Sequence, residues 1–437
     1  MTTTTTTTTT LPASVTANAT DTPAPAALNH VLIVGAGQAG YQVAASLRSE
    51  GFAGEITLIG DEPGLPYQRP PLSKAYLLGK IAAPALRFRA PEFYEQHRIT
   101  LVHDRVTAID RTLRHVKLAS GATPGFDHLV LATGARNRVP VVPGSELDGV
   151  FGVRTLADAD ALAPRLASVK NVVVIGAGFI GLEFAAVAAA KGLTVHVLEM
   201  SPRVMARAVT PQTSAVFRAA HESWGTTLDF GHSAARFNGV DGKVTSVETE
   251  DGRTLPADLV VYGIGVVPNA ELAAAAGLNV HNGISVNELL LTEDAAISAV
   301  GDAVSFPSPH SAAPIRLESV QNASDQARNV AARLMGKPAP FTALPWFWTD
   351  QGDMKLQIVG LLDGHDETVL IGSTEAKQLS VLCFRAGRLI AVESINRTSD
   401  HMAARKVIAR GDALTVAQAS AEGFDLKAYE LASRPAA

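Results

Sequence analysis

The sequence predicts an α/β protein of two Rossmann-like modules with an α+β module appended. Three observations predict it. Two segments read strand, Gly-x-Gly-x-x-Gly, helix, strand, acid. Further apolar runs of strand length lie between and after them. From Phe341 the texture changes to clustered aromatics and alternating strands.

In chain order, residues 1–29 read as a disordered low-complexity tail. Thr2 to Thr10 is unbroken threonine, and the stretch to Ala27 is Ala, Thr and Pro with little else. Too few bulky apolar groups are present to offset the entropy of ordering. The tail holds no Lys or Arg, so neither a secretory n-region nor an Arg-rich transit pattern is present. His30–Val34 is the first strand. Gly35-Ala36-Gly37-Gln38-Ala39-Gly40 follows, then a helical pattern over 41–49 that stops at Gly51. The strand Glu55–Gly60 runs into Asp61-Glu62. The apolar run 127–131 enters Ala132-Thr133-Gly134. The second copy repeats the order: Asn171–Ile175, Gly176-Ala177-Gly178-Phe179-Ile180-Gly181, a helix over 182–190 ending at Gly192, and a strand 194–198 capped by Glu199. A strand over 259–264 leads into Gly265-Val266-Val267-Pro268-Asn269, and another over 295–300 ends in Gly301-Asp302. Residues 320–336 read as a helix with Arg328, Arg333 and Lys337 on or near it. Beyond Pro345-Trp346-Phe347-Trp348 come strands over 355–359, 368–371, 378–384 and 388–392. A last helix near 400–409 stops at Gly411. The expected domains are 30–140 with 268–340, then 141–267, then 341–437.

Composition narrows the function. At roughly 150 residues per domain the chain holds about three domains. Hydrophobic residues are 47% and the net charge is −5, against the basic surface that nucleic-acid binding needs. The single cysteine, Cys383, excludes a disulfide scaffold and a CxxC redox pair. A lone thiolate cannot build a four-thiolate zinc or iron–sulfur centre, and no metal site is expected. A reducing, cytoplasmic compartment is the natural reading. No apolar run reaches the ~18 residues of a membrane span.

The glycine motifs carry the chemistry. Their first Gly makes the tight turn, the second lets backbone approach a pyrophosphate, and the third lets helix and strand pack closely. The helix N-terminus then offers free N–H groups and partial positive charge to phosphates. Two such fingerprints in full strand–helix context mean two dinucleotide-binding domains. Glu199 is placed to accept from an adenosine ribose 2′-OH and to repel a 2′-phosphate, so NADH is expected over NADPH. Arg203 is the caution, read here as a solvated loop charge. Asp302, at a strand's carboxyl end, is placed to hold a ribityl hydroxyl; a helix N-cap there is the compatible alternative.

The order Gly-x-Gly-x-x-Gly, Ala-Thr-Gly, Gly-x-Gly-x-x-Gly, Gly-Ile-Gly-Val-Val-Pro-Asn and Gly-Asp resembles the glutathione-reductase-like flavoproteins. Within them, Leu65-Pro66-Tyr67-Gln68-Arg69-Pro70-Pro71-Leu72-Ser73-Lys74, Gly181-Leu182-Glu183, Glu318-Ser319-Val320-Gln321-Asn322-Ala323 and Pro345-Trp346-Phe347-Trp348-Thr349-Asp350-Gln351 narrow the match. The chain resembles, over about 30–410, the NADH-dependent ferredoxin reductases of bacterial oxygenase systems, of the putidaredoxin reductase and biphenyl dioxygenase reductase type. The resemblance implies FAD in the first module, with Gly35, Gly37, Ala39, Gly40, Asp61, Arg69, Lys74, Val106, Arg154, Asp302 and Val320 as contacts. Asp61 departs slightly from the family pattern because Gly60 intervenes, and Glu62 is the alternative. The resemblance implies NADH in the second module, at Gly176, Gly178, Ile180, Gly181, Glu183 and Glu199. Lys74 and Glu183 would lie beside the flavin's reactive edge, where a partly desolvated ammonium favours arriving electron density and the carboxylate keeps it charged. Trp348 would stack near the flavin or gate the nicotinamide. A structural ion pair and an ordinary aromatic core are the competing readings.

The reaction expected is hydride transfer from NADH to FAD. No Cys lies in 39–60, so electrons must leave from the flavin itself, one at a time to a 2Fe–2S ferredoxin. Such ferredoxins are usually acidic, which points to Arg328, Arg333 and Lys337, and to Arg405, Lys406 and Arg410, as docking residues; any one of them alone reads as a solvated face. A quinone or small-oxidant reductase and a redox-sensing protein like apoptosis-inducing factor are the alternatives. The first lacks a basic amphipathic C-terminal helix in 411–437, and the second lacks a basic surface.

Overall fold

The structure, a computed structural model, describes residues 28–435. The predicted tail lies outside the described residues up to Ala27. Leu28 and Asn29 belong to the fold. The Asp127 carboxylate accepts from the backbone N–H groups of Asn29 (2.8 Å) and His30 (2.9 Å), and Leu28 packs on the first core.

The first sheet has five parallel strands in the order Ile297–Ala299, His128–Leu131, His30–Val34, Glu55–Gly60, Ile99–His103. Its central strand is a continuous apolar run because both faces are covered. The helix Gln38–Ser49 begins inside the glycine motif, ahead of the apolar pattern, and packs against Val320–Leu334. The second sheet repeats the plan in the order Thr227–Phe230, Thr194–Glu199, Asn171–Ile175, Leu259–Tyr262, Val150–Gly152, again all parallel. Phe179–Ala190 covers it, and on another face an antiparallel meander packs Phe237 and Val247 against Val173 and Leu198.

The chain passes between these sheets twice, and the two passages pair with each other. Ala135–Asn137 runs antiparallel to Val266–Pro268, with Asn137 opposite Val266. The third sheet is antiparallel, in the order Trp346–Gln351, Met354–Gly360, Arg388–Ile395, Gln378–Arg385, Glu367–Ser373. Its edge strand Trp346–Gln351, read from sequence only as an aromatic cluster, lies against Phe179–Ala190, and the Phe179 and Phe347 rings stand 4.5 Å apart. The helix Thr398–Arg410 ends at Gly411 in the left-handed conformation (φ 70), as its sequence predicts. It is not the last helix: Val416–Ala419 and Leu426–Ala432 follow. Among the described residues no helix is long and apolar enough to cross a membrane.

Candidate functional site

The two glycine turns test whether a nucleotide is needed to explain them. A methyl group on Gly35 (φ 109) would sit 2.1 Å from the Ala132 carbonyl oxygen, and one on Gly40 would sit 1.9 Å from the Gly35 oxygen. In the second copy a methyl on Gly176 would meet the Gly263 oxygen at 2.8 Å, and one on Gly181 the Gly176 oxygen at 2.1 Å. The protein's own backbone therefore demands these four glycines. It does not demand the middle ones. Among the described residues nothing lies within 4 Å of a methyl on Gly37, and at Gly178 the only neighbour is the Gly263 oxygen at 3.6 Å. The bare backbone there fronts open space of the kind a pyrophosphate fills. Both helix N-termini are also free of side-chain caps and of acids in the first turn, whereas Thr155, Thr210 and Ser319 cap theirs. Unused N–H groups at a helix start suit a phosphate.

Beside the start of Gln38–Ser49 lies a cleft of about 260 Å³, lined by residues that include Gln38, Pro71, Lys74, Val320, Trp348 and Asp350. Three segments singled out in the sequence thus converge. The loop with Lys74 is set by the one-turn helix Pro70–Ser73. Val320 opens its helix behind the cap Ser319, whose hydroxyl accepts from the Asn322 N–H. Trp348 comes from the edge strand, with Trp346 5.7 Å away. Glu183 lies beneath. It is 3% exposed, and its Oε1 pairs with Lys74 Nζ at 2.8 Å. Ser73 Oγ donates to its Oε2 (2.5 Å) and Thr349 Oγ1 to its Oε1 (2.6 Å). Burial pushes the Glu183 carboxyl above the usual carboxylate range, with Lys74 the chief opposing influence. The pair is buried on the Glu183 side and opens to the cleft on the Lys74 side, an arrangement compatible with either reading of Lys74–Glu183.

At the carboxyl end of the first sheet a polar network gathers other expected residues. Arg154 pairs with Asp302 at 2.7 Å and donates to the Ala135 carbonyl at 3.0 Å. Arg69 pairs with Glu62 and donates to the Arg154 carbonyl at 2.9 Å. The Tyr67 hydroxyl donates to Glu62 and accepts from the Leu156 N–H, and burial pushes it up to about 12. Glu62 is thus committed within the protein. Asp61 is exposed beside it. Val106 follows the turn after His103, which pairs with Gly60, so it stands on the Asp61 side of the sheet. Asp302 is not a helix N-cap: it lies within the single turn Gly301–Ala303, and the next long helix is capped by Ser319. A methyl on Gly301 (φ 83) would lie 3.1 Å from Ala39 Cβ, so the Gly-Asp element packs directly on the first glycine turn.

In the second turn Glu199 folds under the loop. Its carboxylate accepts from the Ala177 N–H (2.7 Å) and the Ser201 N–H (2.8 Å). Ile180 is 41% exposed at the helix start. Arg203 is not a solvated charge. Its guanidinium donates to the Val209 (2.8 Å) and Ala206 (2.7 Å) carbonyls and so ties down its own loop. Sequence reasoning passed over Arg207, whose exposed guanidinium reaches over Gly265 at the carboxyl end of the second sheet.

The expected basic docking face is largely neutralised. Arg328 pairs with Asp325, Lys337 with Glu50, Lys406 with Glu430, and Arg410 with Asp412 and Glu430. Arg333 turns inward onto the Ser298 hydroxyl at 2.5 Å, and burial lowers it to about 10. Arg405 stands apart, with its guanidinium 4.9 Å from the Trp346 ring centre. Arg328–Asp325 and Arg410–Asp412 are local pairs, whereas Lys337–Glu50, Arg333–Ser298 and the Glu430 pairs join segments that only the fold brings together. The single cysteine, Cys383, is buried in the third sheet, away from both turns.

This is the architecture of a pyridine-nucleotide-dependent reductase with its own C-terminal module. The chain belongs to the pyridine nucleotide-disulphide oxidoreductase family, whose model matches residues 29–327, and a reductase C-terminal model matches 346–430. It is 49% identical over 398 residues to rhodocoxin reductase of Rhodococcus erythropolis, across 91% of this chain and 93% of that protein. It superposes on the ferredoxin reductase for the CYP199A2 system from Rhodopseudomonas palustris with a TM-score of 0.90 at 51% identity, covering 92% of this chain and 100% of the other. It superposes equally, at 0.90 and 40% identity, on a chain of the covalent putidaredoxin reductase–putidaredoxin complex, covering 93% and 98%.

Proposed function

We propose that the protein passes electrons from NADH, by way of a bound FAD, one at a time to a 2Fe–2S ferredoxin that serves a monooxygenase or ring-hydroxylating dioxygenase. The observation that carries this reading is the cleft where Lys74, Val320 and Trp348 meet beside the first glycine turn, with no thiol at either turn. The relatives named as reductases of rhodocoxin, putidaredoxin and a cytochrome P450 ferredoxin support the acceptor. When bound, FAD supplies a two-electron acceptor that returns electrons singly.

The chain's own residues bind, orient and shield. Gly35, Gly37, Ala39 and Gly40 admit the FAD pyrophosphate. Asp61 serves the ribose, Val106 the adenine side, and Arg69, Arg154, Asp302 and Val320 the remainder. Gly176, Gly178, Ile180 and Gly181 admit NADH, and Glu199 reads its 2′-OH. Lys74 brings positive charge to the cleft, Glu183 fixes that ammonium from below, and Trp348 walls the cleft against water. The engagement of Arg203 by backbone carbonyls supports NADH over NADPH, since it is withdrawn from a 2′-phosphate. A reducing, cytoplasmic location fits a chain with one cysteine. The test is NADH-dependent reduction of a panel of 2Fe–2S ferredoxins, read through cytochrome c. Turnover with at least one ferredoxin is expected; turnover with quinones and none with any ferredoxin would overturn the reading.

A further inference from the structure

The Glu183 carboxylate is the end of a longer buried line. Thr349 donates to it, so the lone pairs of the Thr349 hydroxyl are free to accept, and Gln351 Nε2 donates there at 3.3 Å. The same amide nitrogen reaches Met205 Sδ at 3.8 Å, which uses its second hydrogen. Gln351 Oε1 is an acceptor only, so His221 Nε2, 2.9 Å away, must carry the proton. The His221 Nδ1 atom has no hydrogen-bond partner among the described residues. His221, Gln351 and Thr349 are each 0% exposed. Every donor in the line points toward Glu183. It crosses all three modules: Lys74 and Ser73 from the first, Glu183 and His221 from the second, Thr349 and Gln351 from the third.

We propose that Thr349, Gln351 and His221 are positioning residues, a one-way chain of hydrogen bonds that keeps the buried Glu183 carboxylate ionised and aimed at Lys74. Aligned donors polarise one another in a low-dielectric interior. A buried carboxylate needs such donors, because burial alone favours its protonated form. Lys74 is the charged group that faces Glu183. At the far end, His221 stands edge-to-face with Trp224, ring centres 4.8 Å apart, and Lys377 lies over the Trp224 ring at 5.7 Å. Arg218 and Glu222, on the His221 helix, pair with each other at the surface. Burial lowers His221 to about 4, so it stays a neutral donor through the working range.

The proposal rests on the Lys74–Glu183 reading above, and its test separates the two. Infrared difference spectra between the FAD-loaded protein and its Glu183→Gln variant give the titration midpoint of Glu183 directly. Thr349→Val keeps the shape and removes the donor. It is expected to strengthen proton binding at Glu183 about tenfold or more, roughly one unit of midpoint. Gln351→Met is expected to do so severalfold, His221→Phe least, and Thr349→Ser to restore the wild-type value. The acid limb of the pH profile for flavin reduction by NADH should move in parallel. An unmoved midpoint in Thr349→Val overturns the proposal. So does a shift in Thr349→Val that neither Gln351→Met nor His221→Phe reproduces, since a single bond would then suffice. A midpoint that shifts without any change in the rate profile upholds the chain and removes Glu183 from the reaction.

Discussion

The two glycine turns look alike in sequence and differ where the second strand ends. In the second copy Ile175 pairs with Leu198 and the next residue is Glu199. In the first copy Val34 pairs with Ile59 and the next residue is Gly60. Gly60 therefore holds the place of Glu199, and Asp61 falls one residue later. In the first copy a methyl on Gly60 would lie 2.6 Å from Ala36 Cβ, whereas the second copy accommodates Glu199 beside Ala177, the equivalent of Ala36. The second turn has a carboxylate, Glu199, tied beneath the loop by two N–H groups. The first has an exposed Asp61 and, beside it, the Glu62–Tyr67–Arg69 network, which fastens the loop carrying Lys74. On the proposed function, the second turn would discriminate between coenzymes and the first would hold its own.

The sharpest way to break this comparison is to place a methyl at each glycine. Gly40→Ala and Gly181→Ala drive Cβ into backbone oxygen and are expected to abolish soluble folded protein. Gly37→Ala is expected to leave the unfolding temperature nearly unchanged while weakening FAD retention, measured by flavin release on gel filtration. Loss of folding in Gly37→Ala would mean the middle glycine is structural after all.

Lys74→Ala is expected to slow flavin reduction by NADH about 10²-fold, the scale of losing one preorganised charged donor, in stopped-flow measurements. Glu199→Ala is expected to lower kcat/KM for NADH by roughly tenfold to a hundredfold, the scale of charge-assisted hydrogen bonds, and to narrow the preference over NADPH. Asp61→Ala, at an exposed carboxylate, should weaken FAD binding less than that.

Acid stability distinguishes regions more gently. Burial lowers His128 to about 3 and His221 and His401 to about 4. The unfolded chain protonates these near ~6.5, so their contribution is complete above that pH and is lost as pH falls toward their folded values. Glu183 and Glu393, raised by burial, act in the opposite sense: their contribution is complete below the ordinary carboxyl value and lost as pH rises through the folded one. Among the described residues neither ring nitrogen of His401 has a hydrogen-bond partner, so His401→Phe should cost little at pH 7 and flatten the acid limb of the melting-temperature profile. The smallest effect is expected at Arg405. Removing it should lessen the salt dependence of ferredoxin reduction and leave reduction of ferricyanide untouched.

The inner strands of both parallel sheets were legible because they are buried on both faces and the glycine motif marks the turn after each central one, whereas the outer strands Ile99–His103, Thr227–Phe230 and Val150–Gly152 were not. The cleft residues Lys74, Val320 and Trp348 were legible through motifs that the resemblance supplied. Most of what escaped was long-range. The acid of the first copy falls one residue later because Gly60, packed against Ala36 across the turn, holds the place of Glu199. Arg333 depends on the Ser298 hydroxyl, which only the folded chain brings near, while Arg203 escaped for a local reason, the turn of its own loop that aims the Ala206 and Val209 carbonyls at it. The strand Trp346–Gln351 carries too little alternation to announce itself, and its partner Thr349–Glu183 joins residues separated by 166 positions.

The paired passages Ala135–Asn137 and Val266–Pro268 have a practical corollary. Residues 138–265 enter and leave the first module side by side, so they form a cassette whose two ends nearly touch. Such an insert can be exchanged for another of similar plan without re-threading the surrounding sheet. A transplant that recreated Arg154, Leu156, Glu183 and His221 at the seams would keep the fastenings on which the recipient depends, and would turn coenzyme choice into a matter of which cassette is installed.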